Sequence, residues 1–207
     1  MKVDICQALV CAIPLLAPAV TGAVDASAGV GPIEEVIIIG TRSDARELPG
    51  SAWVIDAADL EVFHYTDIHR VLAPVPGVYA IDEEGLGLRP NIGIRGSGTE
   101  RSGKITLAED GILIAPAPYA DPAAYYFPTT GRMSGIEILK GTPLLAEGPY
   151  TVGGAVNLLS TPLREDSGGW LTSEYGSYDE GRLHAGVVDR GDTYGWLLET
   201  HQQRSDG

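Results

Sequence analysis

The 207-residue sequence has only two cysteines, Cys6 and Cys11, and both lie near its N-terminus. Removal of an N-terminal export segment would leave no thiol, which excludes disulfides, thiolate metal sites and a cysteine nucleophile. Basic residues are also scarce, since 14 Lys and Arg against 28 Asp and Glu give a formal net charge of -14. Nucleic-acid binding draws much of its affinity from Lys and Arg at phosphates, so this balance excludes a nucleic-acid partner.

Long apolar runs are absent after the N-terminus. A membrane-spanning helix needs about 18 consecutive apolar residues, so a position in a membrane would require a β-barrel. The N-terminus itself has the pattern of an export signal, in which Lys2 precedes a proline-interrupted apolar stretch over 5–20 and small residues follow. We predict a signal peptide over residues 1–28, with cleavage after Ala23 or Ala28.

A catalytic constellation is also lacking. The histidines show no metal-ligand spacing, and no G-x-S-x-G motif is present. The segment Gly98–Lys104 has the spacing of a phosphate-binding loop, but Ile105 stands where a hydroxyl would hold magnesium, and a strand-like run follows it. The sequence therefore predicts no enzyme, no catalytic residues, no bound metal and no cofactor.

Glycine and proline are abundant, with 27 and 14 residues, and they show no fixed period. This composition indicates many turns between short strands. Residues 50–162 predict a small α+β domain, a mixed sheet with two short helices that begin near Asp56 and Thr66. Asp110-Gly111 predicts a tight hairpin turn. The strands are expected at Ala52–Asp56, Val78–Ile81, Asn91–Gly96, Lys104–Ile114, Gly135–Lys140 and Ala155–Ser160, and Thr41–Gly50 is expected to be a polar loop.

Residues 163–207 have a different pattern. Leu183, Ala185 and Val187 alternate with more polar neighbours, and Trp196 and Leu198 do the same further on. This period of two, with its accompanying aromatic residues, is typical of outer-membrane barrel strands, and it also fits a soluble β-domain. We expect the first antiparallel strands of a transmembrane β-barrel that the sequence leaves incomplete, as in a fragment of a longer protein.

Six segments resemble, in the same order, the sequence motifs of TonB-dependent outer-membrane receptors. The resemblance implies a TonB box and linker over 29–49, a plug domain over 50–162, and the start of a truncated barrel over 163–207. The segments are Glu34–Thr41 (the TonB box), Leu72–Val78 (L-x-x-x-P-G-V), Asn91–Gly96 (I-R-G), Glu109–Ile112 (x-D-G-V), Ile136–Gly141 (I-E-V-x-K-G) and Gly153–Leu158 (G-G-V-V-N-I).

Within this family, Pro116–Pro122 most resembles receptors of the ferric dicitrate type. The resemblance implies uptake of a ferric chelate, siderophore or citrate-like, across the outer membrane of a Gram-negative cell, in contact with outer-membrane lipid. The stretch Glu147–Tyr150 departs from the family pattern, which has Y-G before the double glycine. The alternative is a soluble periplasmic or surface β-rich module that binds a ligand without transport.

The predicted coupling segment is Glu34, Glu35, Val36, Ile37, Ile38 and Ile39. It contains no proline and is rich in β-branched residues, so its backbone can add as a strand to the sheet edge of another protein. The resemblance implies that this partner is TonB, the energy-coupling protein of the inner membrane. A plain N-terminal strand of the domain itself fits the same residues.

Candidate ligand contacts come from exposed plug loops. Arg89, Arg101 and Lys104 are the cationic donors available to a carboxylate-rich chelate. The resemblance places Asp121 and Tyr125 near the chelate, in a long proline-rich loop that also holds Tyr119 and Tyr126. The tyrosines could instead pack against the barrel wall.

Two further cations are candidates for locking the plug. At the positions of Arg95 and Lys140 the family carries charges that pair with barrel carboxylates, and a barrel of about 22 strands is wide enough to need such a plug. Both side chains could instead be solvated residues at the edge of the sheet.

Overall fold

The computed structural model describes residues 39–48, 50–81, 83, 86–114, 127–141 and 152–206. The predicted signal peptide lies outside these ranges, as do the predicted coupling residues Glu34, Glu35, Val36, Ile37 and Ile38 and the loop residues Tyr119, Asp121, Tyr125 and Tyr126. Within the described ranges, no helix has the length and hydropathy needed to cross a bilayer.

The described chain has three short α-helices, two short 3-10 helices and ten strands arranged in three sheets. The α-helices and strands are α1 (Arg42–Glu47), β1 (Ser51–Ile55), α2 (Ala57–Phe63), α3 (Ile68–Leu72), β2 (Val78–Ile81), β3 (Asn91–Ile94), β4 (Ile105–Glu109), β5 (Ile112–Leu113), β6 (Met133–Lys140), β7 (Gly154–Ser160), β8 (Gly168–Tyr175), β9 (Gly181–Arg190) and β10 (Gly195–Arg204). One sheet has the strand order β1-β6-β7-β4-β5 and is antiparallel except between β4 and β7, which makes it mixed. Strands β2 and β3 form a hairpin, and β8, β9 and β10 form an antiparallel meander.

Aspartate side chains begin the two predicted helices. The carboxyl group of Asp56 accepts the N–H of Asp59 at 3.0 Å, which caps α2 where the sequence places its start. Helix α3 is capped by Asp67 rather than by Thr66. The Asp67 carboxyl group accepts the N–H of His69 at 2.9 Å. Either residue type can fill this position, so the pattern locates such a start only to within a residue.

The prediction of a polar loop over Thr41–Gly50 is wrong, because α1 lies there. The Thr41 hydroxyl accepts the N–H of Asp44 at 3.3 Å, and the Asp44 carboxyl group accepts the N–H of Thr41 at 2.9 Å. This capping box satisfies donors that a helix start would otherwise leave free. Hydrogen bonds from the hydroxyl and the backbone of Thr41 lower the pKa of Asp44. The buried Ala45 holds the helix against the sheet.

The five-stranded sheet has apolar clusters on both faces. Along β6, Ile136 and Ile138 point into the larger cluster with α3 and the β2–β3 hairpin, whereas Leu139 points to the opposite face. That second face is covered by Ile39, Ala45 and their neighbours. Each fully buried isoleucine contributes roughly 1.5–3 kcal/mol, so both clusters hold the sheet in place.

The β8–β10 meander has one apolar face and one polar face, as the alternation predicts. Leu171, Val187 and Leu198 are exposed on the outer face. On the inner face, Trp170 of β8 lies over Gly186 of β9, where a Cβ atom would collide with the indole ring. The small residue therefore makes room for the large one across the strand pair.

Candidate functional site

The three cations predicted to meet a ligand lie on neighbouring loops. Arg89, Arg101 and Lys104 are all exposed. The Ser102 hydroxyl donates to the carbonyl of Pro90 at 2.7 Å, which ties the turn that contains Arg101 to the loop that contains Arg89. The backbone segments that carry Arg89 and Arg101 are therefore neighbours, held by this hydrogen bond.

The same loops emerge at one end of the sheet. Strand β4 begins at Ile105 opposite Gly154, the first residue of β7, and the Lys104 carbonyl accepts the N–H of Gly153 at 2.7 Å. Strand β6 ends at Lys140, which pairs with Ser51 at the start of β1. The described chain thus gathers Arg101, Lys104 and the end of β6 at one edge of the domain.

Arg95 and Lys140 lie close to each other. Lys140 is 3% exposed, and its Nζ donates to the Pro76 carbonyl at 2.8 Å. A Cβ atom on Gly141 would stand 3.1 Å from the Arg95 guanidinium group. Burial and then the charge of Arg95 lower the pKa of Lys140. Among the residues that the structure describes, neither cation forms an ion pair with a carboxylate.

A polar contact joins the end of α2 to the inner face of the meander. His64, which ends α2, places its Nδ1 2.6 Å from a Glu174 carboxylate oxygen of β8. Arg182 of β9 donates to the His64 carbonyl at 2.6 Å and also pairs with Glu174 at 3.2 Å and Glu180 at 2.8 Å. The sequence analysis did not identify this contact. The sequence signal for this contact was the alternation of strand β9, which places Arg182 on the face opposite its apolar residues.

A second contact lies beside the first. The Thr161 hydroxyl, just past β7, donates to a Glu199 carboxylate oxygen of β10 at 2.9 Å, and that oxygen also lies 2.7 Å from His184 Nε2. Gly131 approaches the His201 ring so closely that a Cβ atom would collide with it. The inner face of the meander is therefore polar where it meets the α+β domain.

Ile39 is the one residue of the predicted coupling segment that the structure describes. It is buried, and its N–H donates to the Glu137 carboxyl group at 2.7 Å, while the N–H of Gly40 donates to the same oxygen at 3.0 Å. The end of that segment is thus held by β6. The described residues contain no cluster of three potential metal ligands.

This architecture agrees with a family comparison. The family model of the TonB-dependent Receptor Plug Domain matches residues 44–155, which is more than half of the chain, and the chain belongs to this family. The predicted boundaries at residues 50 and 162 stay predictions.

Solved structures show the same fold. The chain is similar to the ferric citrate transporter FecA, with 28% identity, a TM-score of 0.67, and coverage of 80% of this chain and 27% of that one. It also resembles the alcaligin outer membrane receptor FauA from Bordetella pertussis (20% identity, TM-score 0.61, 78% and 27% coverage). The ferric preacinetobactin receptor BauA from Acinetobacter baumannii gives 24% identity, a TM-score of 0.61, and 76% and 23% coverage. The last two likenesses show the fold alone.

The chain spans about a quarter of the length of these receptors. The predicted fold class is confirmed, with a plug fold of mixed sheet and short helices followed by additional antiparallel strands. The family consists of receptors and transporters rather than enzymes.

Proposed function

We propose that this chain is the plug-bearing part of an outer-membrane receptor that takes up a ferric chelate with energy supplied through TonB. The observation that carries the proposal is the plug family match over residues 44–155, together with 28% identity to a ferric citrate transporter. The polar inner face of the β8–β10 meander supports the proposal. Strands that are apolar on their outer face and polar on the face toward the plug suit a barrel wall.

The coupling segment is proposed to be residues 34–39, with TonB as the partner that adds a strand to it. A strand that transmits a pull must be fastened to the domain it moves. The hydrogen bonds from Ile39 and Gly40 to Glu137 supply that fastening. A segment that is anchored at one end and rich in β-branched residues fits this role.

The ligand is proposed to be a chelate that presents carboxylates or other anionic oxygens. Arg89, Arg101 and Lys104 are exposed, and the segments that carry Arg89 and Arg101 are joined by a hydrogen bond, which supports a shared role at one bound group. Tyr119, Asp121, Tyr125 and Tyr126 remain proposed contacts of the same site. Asp121 would repel an anionic ligand, which argues against a receptor restricted to citrate.

Arg95 and Lys140 are proposed to lock the plug to the barrel. Two neighbouring cations, one of them buried, need an acceptor of opposite charge. Barrel carboxylates beyond the present chain would supply it. The contacts of Arg182 and Glu199 with the domain would add a second place where the plug meets the wall.

The proposal is tested by iron uptake in cells that have no other ferric-chelate receptor. Cells that produce the full-length receptor should accumulate radioactive iron from a panel of ferric chelates, and deletion of TonB should abolish accumulation but leave surface binding. Uptake that continues without TonB would refute energised transport. Recovery of the product in soluble periplasmic fractions would favour a binding module instead.

A further inference from the structure

A buried carboxyl group lies in the middle of the plug sheet. Glu137 is 0% exposed, and it stands in β6 between Val54 of β1 and Asn157 of β7. A polar group in such a place is costly unless it is hydrogen-bonded. One of its oxygens accepts the N–H groups of Ile39 and Gly40, which lie 98 and 97 residues earlier in the chain.

The hydrogen bonds continue through the neighbouring strand. The other oxygen of Glu137 accepts the side-chain amide of Asn157 at 2.9 Å, and Asn157 is 1% exposed. The side-chain amide oxygen (Oδ1) of Asn157 in turn accepts the N–H of Gly111 at 2.9 Å, in the turn between β4 and β5. A continuous path of hydrogen bonds therefore runs from Ile39 through β6 and β7 to the β4–β5 hairpin.

The far end of this path is itself tied to β7. The Asp110 carboxyl group accepts the N–H of Ser160 at 2.9 Å and the Ser160 hydroxyl at 2.6 Å, and the N–H of Asp110 donates to the Leu158 carbonyl at 2.9 Å. The Asp110-Gly111 turn consequently moves with the end of β7. A displacement at Ile39 can therefore reach this turn through a continuous set of buried and partly buried hydrogen bonds.

We propose that Glu137 and Asn157 form a relay through which a pull on the coupling segment enters the plug sheet and reaches the Asp110-Gly111 turn. The pull itself rests on the proposed function, whereas the relay is a property of the resting receptor. The load would be shared by β6, β7 and the β4–β5 hairpin. Glu137 and Asn157 are positioning residues in this scheme.

The polarity of the relay gives a sharp test. In Glu137→Gln, one carboxylate oxygen is replaced by an amide NH2 group. This donor then faces the N–H groups of Ile39 and Gly40 or the side-chain NH2 group of Asn157, where an acceptor is needed. If the Asn157 side chain rotates so that its oxygen accepts from this new donor, its NH2 group faces the N–H of Gly111, and two donors then meet. In Asn157→Asp, two carboxyl groups face each other. At a pH at which both carboxyl groups of Asn157→Asp are ionised, each single change therefore breaks at least one link.

The double variant exchanges the two groups. In Glu137→Gln with Asn157→Asp, the amide oxygen at position 137 can accept from Ile39 and Gly40, and the amide nitrogen can donate to the carboxyl group at 157. The remaining oxygen at 157 can accept from Gly111. Size and net charge are unchanged, and every link is again possible.

Amide hydrogen exchange of the full-length receptor measures the links. In each single variant, exchange at Ile39, Gly40 or Gly111 should become about ten-fold faster, because the N–H donor loses its acceptor. The double variant should return these amides to wild-type rates. Equal loss of protection in the single and double variants would overturn the relay, and so would unchanged protection in both single variants.

Transmission is tested from the coupling end. Ile39→Pro removes the first donor, and exchange at Gly111 should accelerate in response. In an Asn157→Ala background, where the path is already cut, Ile39→Pro should have no further effect at Gly111. Thr41→Ala is the matched control, since it perturbs the same segment without touching Glu137. An equal response at Gly111 in this control would overturn the proposal.

These readouts separate the relay from the proposed function. Hydrogen exchange needs neither TonB nor a ferric chelate, so the relay can be refuted in a receptor that transports normally. Conversely, a receptor that fails to transport could still show the compensation between positions 137 and 157. The same variants tested for iron uptake should show reduced uptake in each single variant and recovered uptake in the double variant.

Discussion

The guanidinium group of Arg182 donates to the main-chain carbonyl of His64 at 2.6 Å, although 118 residues separate the two along the chain. This bond fastens strand β9 of the meander to the end of helix α2. The same guanidinium group pairs with Glu174 and Glu180, so it organises three acceptors at one place. It is one of the contacts that hold the meander against the plug domain.

Arg182→Ala should therefore destabilise the contact between meander and plug. We expect the free energy of unfolding to fall by about 1–2 kcal/mol, because a partly exposed charged hydrogen bond and two ion pairs are lost. Urea unfolding measures the change. Arg204→Ala, which removes the exposed pair with Asp206, is the control and should stay within about 0.5 kcal/mol of wild type. Equal effects of the two changes would contradict the role of Arg182.

Gly186→Ala should displace the indole ring of Trp170. The added methyl group would occupy the space that the ring fills, and relief of such a collision costs about 1–3 kcal/mol. Tryptophan fluorescence should shift as the ring moves. Gly181→Ala in the same strand meets no atom within 4 Å and should leave the spectrum unchanged. If Gly186→Ala leaves the fluorescence spectrum unaltered, the Trp170 ring does not occupy the space above Gly186.

Arg95→Gln should raise the pKa of Lys140. Burial is the larger cause of the lowered pKa and the charge of Arg95 the smaller, so the pKa should rise but stay below the ordinary value of 10.5. A lowered lysine pKa means that the unfolded state binds more protons between the folded pKa and 10.5, so the folded state gains stability as the pH rises through that interval. Resonances of the Lys140 side chain report the pKa directly.

The pKa of Lys140 also tests the proposed lock between plug and barrel. Barrel carboxylates next to Lys140 would favour its charged form and raise the pKa in the full-length receptor above that in the present chain. A pKa of Lys140 that is equally low in both proteins would contradict the lock.

Thr41→Ala should raise the pKa of Asp44 toward its ordinary value of 3.8, because it removes the hydrogen bond from the Thr41 hydroxyl, the largest cause of the lowered pKa, and keeps the backbone bond. The depressed pKa means that Asp44 stabilises the folded state above its unfolded pKa and that this contribution is lost as the pH falls through the folded pKa. Carboxyl resonances followed against pH give the value. An Asp44 pKa that does not respond would show that the capping box is not its cause.

The sequence predicted the elements whose signals are local. Val78–Ile81 is a strand with the expected bounds, and the turn at Asp110-Gly111 divides the predicted Lys104–Ile114 run into β4 and β5. Such signals depend on alternation and on turn residues within a few positions. Helix α1 was missed because Thr41–Gly50 is polar and short. Its capping residues, Thr41 and Asp44, have the T-x-x-D spacing that would have indicated it.

Family motifs mark the segments that contain Arg95 and Lys140, and the roles assigned to these two residues stay predictions. The buried contacts of Glu137 and Asn157 were not predicted. A glutamate in an isoleucine-rich strand gives no sign that it accepts N–H groups 98 residues away. The inner-face contacts of Arg182 likewise depend on how two sheets meet, which the period of a strand does not specify.

Iron uptake by an Ile37→Pro variant of the full-length receptor tests the central claim most directly. Proline removes a backbone donor from the proposed coupling strand, so energised uptake should be abolished while binding of the ferric chelate at the cell surface is unchanged. Ile37→Val keeps the N–H and the extended preference and should transport normally. Normal uptake by Ile37→Pro would contradict coupling through this segment.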